Sequence, residues 1–176
     1  MKCSVSLPRC SCRFKPFLLL FALLLVLQPT ALLASGAITG QVVRVADGDT
    51  ITILTADRQQ IKIRLAELDA PEKKQAFGQQ AKDFTESLVA GKIVSVQTRD
   101  IDRYGRMVGE VFLLDGRSVN RLLVENGFAW WYRHYSKDAS IGALEDRARA
   151  GRKGLWQDPN PLPPWEWRKN KREGAN

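Results

Sequence analysis

Three short stretches of the chain set carboxylates or arginines beside turn-forming residues at the ends of strand-like runs. They are Asp47-Gly48-Asp49-Thr50, the segment 64–72 with Arg64, Glu67, Asp69, Pro71 and Glu72, and Asp102-Arg103-Tyr104-Gly105-Arg106. Carboxylates alone repel a phosphodiester, and arginines alone bind it without attacking it. Together with a divalent cation they can hold the phosphate and direct a water at it. Asp49 and Asp69 are the candidate metal ligands, since one follows the Asp47-Gly48 turn and the other ends a strand-like run, positions that can meet in an antiparallel meander. Two hard oxygen donors, joined by the Thr50 carbonyl and waters, suit Ca2+ rather than Zn2+, because the three cysteines lie at positions 3, 10 and 12 and His134 is the only histidine. An isolated Asp-Gly-Asp, by contrast, would do no more than make turns.

Glu72 is the candidate base. Pro71 fixes the backbone ahead of it and so sets its direction. Proton removal by such a group contributes roughly 10² to 10⁴ in rate, about 3 to 5 kcal/mol, whereas enzymes lower barriers by about 8 to 23 kcal/mol. The larger share must come from charge stabilisation, for which Arg64 and Arg106 are the candidates. A planar guanidinium forks onto two oxygens of a pentacoordinate phosphate and can stabilise a leaving alkoxide. Either arginine alone would read as a surface ion pair. A ribonuclease working with two histidines is excluded by count.

The elements that must bring these residues together are written in the periodicity. From Ile38 it is two: Val43 and Val45, Ile51 and Ile53, then Ile61, Ile63 and Leu65 face one way, which predicts three consecutive antiparallel strands. Arg64 falls on the opposite face. Phe77, Ala81, Phe84 and Leu88 then recur at helical spacing, up to Gly91. Alternation returns over 92–98 and 107–114, giving five strands. Ser118 is placed to cap a helix carrying Val119, Leu122 and Leu123, and Asp138 or Ser140 to cap another carrying Ile141, Leu144 and Ala148. Residues 158–167 are too rich in proline for a helix or central strand, so an irregular tail with a mobile basic end from Arg168 is expected, docked by Trp165 and Trp167. Trp130, Trp131 and Tyr135 read as barrel packing. A meander, a helix and two further strands suit a small closed barrel of the oligonucleotide-binding kind.

The ordered set Asp47-Gly48-Asp49-Thr50, Ile63-Arg64-Leu65 through Leu68-Asp69-Ala70-Pro71-Glu72, Phe77-Gly78 with Ala81, Leu88-Val89 with Gly91-Lys92, Asp102 to Arg106, Asn120 with Leu123-Val124, and Gly154-Leu155-Trp156 resembles the staphylococcal nuclease (thermonuclease) family from about Val42 to Trp156. The resemblance implies an α+β fold, a five-stranded OB-fold barrel with three α-helices. It also implies a calcium-dependent nuclease that cleaves DNA and RNA and leaves 3'-phosphate ends. Family roles pass to Asp49, Asp69 and the Thr50 carbonyl as calcium ligands, to Arg64 and Arg106 as phosphate and transition-state ligands, to Glu72 as base, and to Tyr104 and Tyr132 as contacts of the terminal nucleotide. The chain departs from the type member at Ala70, where a threonine is replaced, at His134, where a tyrosine is replaced, and in the short loop after Glu72.

Composition sets the frame. Lys2, Arg9, Arg13 and Lys15 precede an apolar run over 17–27, then Gln28-Pro29 and the small residues of 34–37, the pattern of a secretory signal peptide over 1–36. An uncleaved membrane anchor is the alternative, disfavoured by Gln28, Pro29 and Thr30 where a spanning helix must be apolar. Removing 1–36 takes four basic and no acidic side chains from the formal +8, leaving 23 Lys and Arg against 19 Asp and Glu, a net of +4. It also removes every cysteine, so the exported chain has no disulfide. One domain over 37–157 with a tail at 158–176 is expected, acting on nucleic acid, with no stable protein partner implied. The rival readings are a non-catalytic nucleic-acid-binding OB-fold module, which the retained carboxylates and arginines disfavour, and a membrane-tethered interaction module, which rests on the apolar run alone.

Overall fold

A computed structural model describes residues 37–174; the expected signal peptide and its cysteines lie outside the described residues. Strands β1 (Ala37–Asp47), β2 (Thr50–Thr55) and β3 (Gln60–Leu65) form the antiparallel meander, followed by the two-residue β4 (Leu68–Asp69) and helix α1 (Gly78–Val89). Strands β5 (Ile93–Ile101) and β6 (Met107–Leu113) form a hairpin. Helix α2 (Val119–Glu125), strand β7 (Trp130–Trp131), helix α3 (Ala139–Ala150), a 3-10 turn (Gly154–Gln157) and helix α4 (Pro164–Glu173) complete the chain. The barrel closes in the order β1-β2-β3-β6-β5, and its seam is the parallel pairing of β3 with β6, where Arg64 sits opposite Val108. Among the described residues no helix is long and apolar enough to cross a membrane.

Ile51, Ile53, Ile63, Leu65, Val94, Val96 and Val111 fill the barrel, all at most 1% exposed. Each such side chain contributes roughly 1.5 to 3 kcal/mol on burial. One inward residue departs from simple alternation. A bulge between Val42 and Arg44 in β1 turns Val42 inward and leaves Val43 46% exposed, while Val45 stays inside. The extra residue bends the strand, as closure of so small a barrel requires.

Helix α1 packs Ala81, Thr85 and Val89 on the barrel. Phe77 is not on that face: it precedes the helix at φ 63° and joins a second apolar cluster with Trp130, Leu155 and Trp156. Ser118 caps α2 by accepting from the Arg121 N–H, and Asp138, not Ser140, caps α3. The tail corrects the expectation of irregular, mobile chain. Pro164 stands in the first turn of α4, where its missing N–H is not needed, and the helix runs through Arg168 to Glu173. Among the described residues there are thus four α-helices rather than three.

Candidate active site

Asp49 is placed by its turn. The Thr85 hydroxyl of α1 donates to the Gly48 carbonyl at 2.6 Å, and the Leu65 N–H donates to the Asp49 carbonyl at 2.9 Å. Gly48 is required because a Cβ there would lie 2.9 Å from the Cβ atoms of both Ala70 and Ala81. The Asp49 carboxylate is buried; Oδ2 accepts from the Ala70 N–H at 2.8 Å and Oδ1 from the Thr50 hydroxyl at 3.1 Å. Asp69 is held from the other side by β4, paired with Trp130 of β7, and is fully buried.

Arg64 joins the two aspartates. Its Nη1 meets Asp49 Oδ1 and its Nη2 lies 2.6 Å from Asp69 Oδ1, so one guanidinium spans both carboxylates. Thr50 and Arg64 are cross-strand partners of β2 and β3, which explains why these side chains converge. Glu72 enters through a residue that no motif announced. Arg168 of α4 places Nη2 2.6 Å from Asp69 Oδ2 and Nη1 2.8 Å from Glu72 Oε1. The sequence does carry a signal for it: Pro164 as a helix start puts Trp165 and Arg168 three residues apart on one face.

Arg106 immediately precedes β6, whose Met107 pairs with Ile63 at the seam. Asp102 holds it, with Arg106 Nε 2.7 Å from Asp102 Oδ2, while Nη1 reaches the Thr50 hydroxyl at 3.5 Å. Among the described residues no other carboxylate pairs with Arg106, so unlike Arg64 it keeps donors for a substrate. Desolvation pushes the Asp102 carboxyl up, but hydrogen bonds from the Arg106 main chain and guanidinium and from the Tyr104 N–H outweigh it and hold it below the ordinary aspartate value. The Tyr104 ring is exposed, 5.5 Å from the Arg106 guanidinium. The Tyr132 ring is stacked on Trp165 of α4 at 5.3 Å and 2°. Glu67, at φ 67°, pairs with Arg99 at 2.8 Å, accepts from the Ser136 hydroxyl, and receives the Tyr132 N–H on its carbonyl. It ties the loop bearing Tyr132 to the barrel.

Burial pushes the Asp49 carboxyl up; the Arg64 guanidinium pulls it down, the Asp69 charge pushes it up again, and the net is above the ordinary value. Two buried carboxylates that repel each other call for positive charge. The donors present, carboxylate oxygens with the Thr50 hydroxyl 3.1 Å from Asp49 Oδ1, are hard, so the set fits Ca2+ with water completing the coordination. Among the described residues no three His, Cys, Asp or Glu side chains form a metal cage, so such an ion would depend on main-chain and water oxygens.

A small closed barrel that carries paired acids and arginines at its seam defines a phosphate-handling OB-fold protein. The family model described as staphylococcal nuclease homologue matches residues 62–158, and the chain belongs to that family. It is 48% identical over 134 residues to an Escherichia coli O157:H7 protein named uncharacterized endonuclease, covering 76% of this chain and 87% of that one. It is 42% identical over 147 residues to a Shigella flexneri protein named micrococcal nuclease, covering 78% and 84%. A Haemophilus influenzae protein, also named uncharacterized endonuclease, is 39% identical over 155 residues, covering 88% and 86%.

Proposed function

We propose that the chain is a calcium-dependent endonuclease of low sequence specificity that hydrolyses DNA and RNA and leaves 3'-phosphate ends. Family membership and the relatives' names support nucleic-acid hydrolysis; the site supports the finer reading. The observation that carries it is the run of shared contacts in which Arg64 spans Asp49 and Asp69 and Arg168 spans Asp69 and Glu72. That run supports a reading in which the candidate cation ligands and the candidate base share one cleft.

Asp49 and Asp69, with oxygen from Thr50, would hold Ca2+, which supplies Lewis-acid charge to the phosphate. Glu72 takes a proton from the attacking water as the oxygen bonds to phosphorus. Arg106, anchored by Asp102, donates to the phosphoryl oxygens as negative charge builds on them, and stabilises the departing 5' oxygen as its bond to phosphorus breaks. The phosphate stays with the 3' side. Tyr104, beside Arg106, and Tyr132 are the residues to contact the terminal nucleotide. None of these groups reads base edges, which agrees with low specificity.

The test is digestion of DNA and RNA by the chain without residues 1–36, with Ca2+ and with a chelator, followed by analysis of product ends. Expected are cleavage with the ion, loss of cleavage with the chelator, and 3'-phosphate termini. Equal rates in both conditions sink the metal mechanism, and 5'-phosphate ends sink the bond assignment. Export is part of the proposal. Mass spectrometry of the product outside the cytoplasm should find an amino terminus near residue 37, and an intact Met1 would favour the membrane tether.

A further inference from the structure

Helix α4 lies beyond the end of the family model's match at residue 158, yet one of its faces contributes two side chains to the site. Trp165 lies flat on Tyr132 and edge-on to Trp130 at 5.8 Å. Ahead of the helix, Gln75 Nε2 donates to the Leu162 carbonyl at 2.5 Å, which fastens the tail to the loop that follows Glu72. The Gln75 Oε1 accepts from the Glu72 N–H at 3.2 Å, so a single amide side chain ties both segments. With these anchors the next turn of the helix delivers Arg168 to Asp69 and Glu72.

The two carboxylates that Arg168 joins are unlike. Asp69 is fully buried and also held by Arg64, whereas the Glu72 side chain is 41% exposed and, among the described residues, pairs with Arg168 alone. A free glutamate samples several rotamers, and a base that does so spends little time facing its water. A planar guanidinium bonded to a rigid carboxylate on one edge and a mobile one on the other transmits the rigidity of the first to the second. The pair with so exposed a carboxylate adds little to folding stability, so stability does not account for the Glu72 arm of the arrangement.

We propose that Arg168 is a positioning residue for hydrolysis, fixing the Glu72 carboxylate beside Asp69 so that the base faces the reacting water. The inference rests on the nuclease reading above. Its scope is larger than one side chain, because it makes α4 a working part of the active site.

The experiment is a double-mutant cycle of Arg168→Ala and Glu72→Gln in the chain without residues 1–36, with Arg168→Lys as a third variant. Turnover and KM are measured on a single-stranded DNA oligonucleotide with saturating Ca2+, and oligonucleotide affinity by fluorescence anisotropy in the Glu72→Gln background. Arg168→Ala is expected to lower kcat by about 10- to 100-fold, with KM and affinity changed less than about threefold. Arg168→Lys should recover part of the loss, since a point charge can hold one carboxylate but not fork across two. Once Glu72 is Gln, removing Arg168 should cost nothing further. An equal loss in both backgrounds would show that Arg168 acts independently of Glu72 and would overturn the proposal, as would a loss confined to KM and affinity or an unchanged kcat. Wild-type turnover by Glu72→Gln would remove Glu72 as the base and overturn the positioning role with it, whereas no cleavage by the parent chain with Ca2+ is the different result that removes the nuclease reading.

Discussion

Arg64 and Arg106 are the same residue type in unlike circumstances. Arg64 is committed to Asp49 and Asp69, whereas Arg106 is tethered at Nε by Asp102 and, among the described residues, its outer nitrogens meet no carboxylate. Replacement of Arg106 by Lys retains the charge and loses both the tether and the fork, so turnover should fall by roughly 10² or more with a smaller change in KM; wild-type kcat in a steady-state assay would remove Arg106 from the mechanism. Asp102→Asn should cost less, because the guanidinium stays but is no longer aimed. Its effect has a pH sign. The Asp102 carboxyl titrates below its unfolded value, so the pair contributes stability that is present above the unfolded pKa and lost as pH falls through the folded one. The unfolding free-energy difference between wild type and Asp102→Asn, followed in urea, should therefore be steady near neutrality and shrink below about pH 4. A difference that grows on acidification would contradict the direction. At this scale the acids and arginines of the three motifs were legible, because turn residues bracket them. Arg168 was not, because it heads a basic run through Lys169, Lys171 and Arg172 and its partners are about a hundred residues away.

Between residue and cleft stand elements whose backbones touch. Gly78 opens α1, and a Cβ there would lie 2.0 Å from the Glu72 carbonyl oxygen, so the loop bearing the base rests directly on the start of the helix. Gly78→Ala must push that loop outward. The expectation is a loss of about 1 to 3 kcal/mol in unfolding free energy from overpacking. A loss of roughly 10- to 100-fold in kcat should accompany it, as for a base misplaced by about an ångström. Gly116→Ala is the control: its φ of +84° makes alanine costly, but nothing lies within 4 Å of the added carbon. It should lose stability and keep turnover. If both variants lose stability alone, the contact does not position Glu72. The strands and three of the helices were readable from their periods and caps, since one face of each is buried and the other is not. What escaped had a different physical origin. The β1 bulge interrupts alternation by one residue without a Gly or Pro to mark it, and β4 and β7 are two residues long, too short for any period to show. The prolines before α4 suggest disruption, although the last of them occupies the one helical position that tolerates it.

For the molecule as a whole, the site is also a junction. Asp49 receives hydrogen bonds from the end of β3 and from Ala70 after β4, its turn is held by α1, and Asp69 joins β4 to α4 through Arg168. Buried acids at such a junction oppose folding through desolvation and mutual repulsion, and the arginines offset this only in part, as the raised Asp49 value indicates. A divalent ion bound there would favour the folded chain over the unfolded one, in which the ligands are dispersed. Ligand binding to the folded state alone adds about 2.7 kcal/mol at a concentration 100 times Kd. For a domain of this length that amounts to a rise in Tm on the order of 10 °C. Differential scanning calorimetry with Ca2+ and with a chelator should show it, and Asp49→Asn should abolish the difference between the two conditions. The measurement needs no substrate and no turnover, so it separates ion binding from catalysis. An identical Tm in both conditions, up to millimolar Ca2+, would mean that the two arginines already satisfy the aspartates and that the cleft takes no ion.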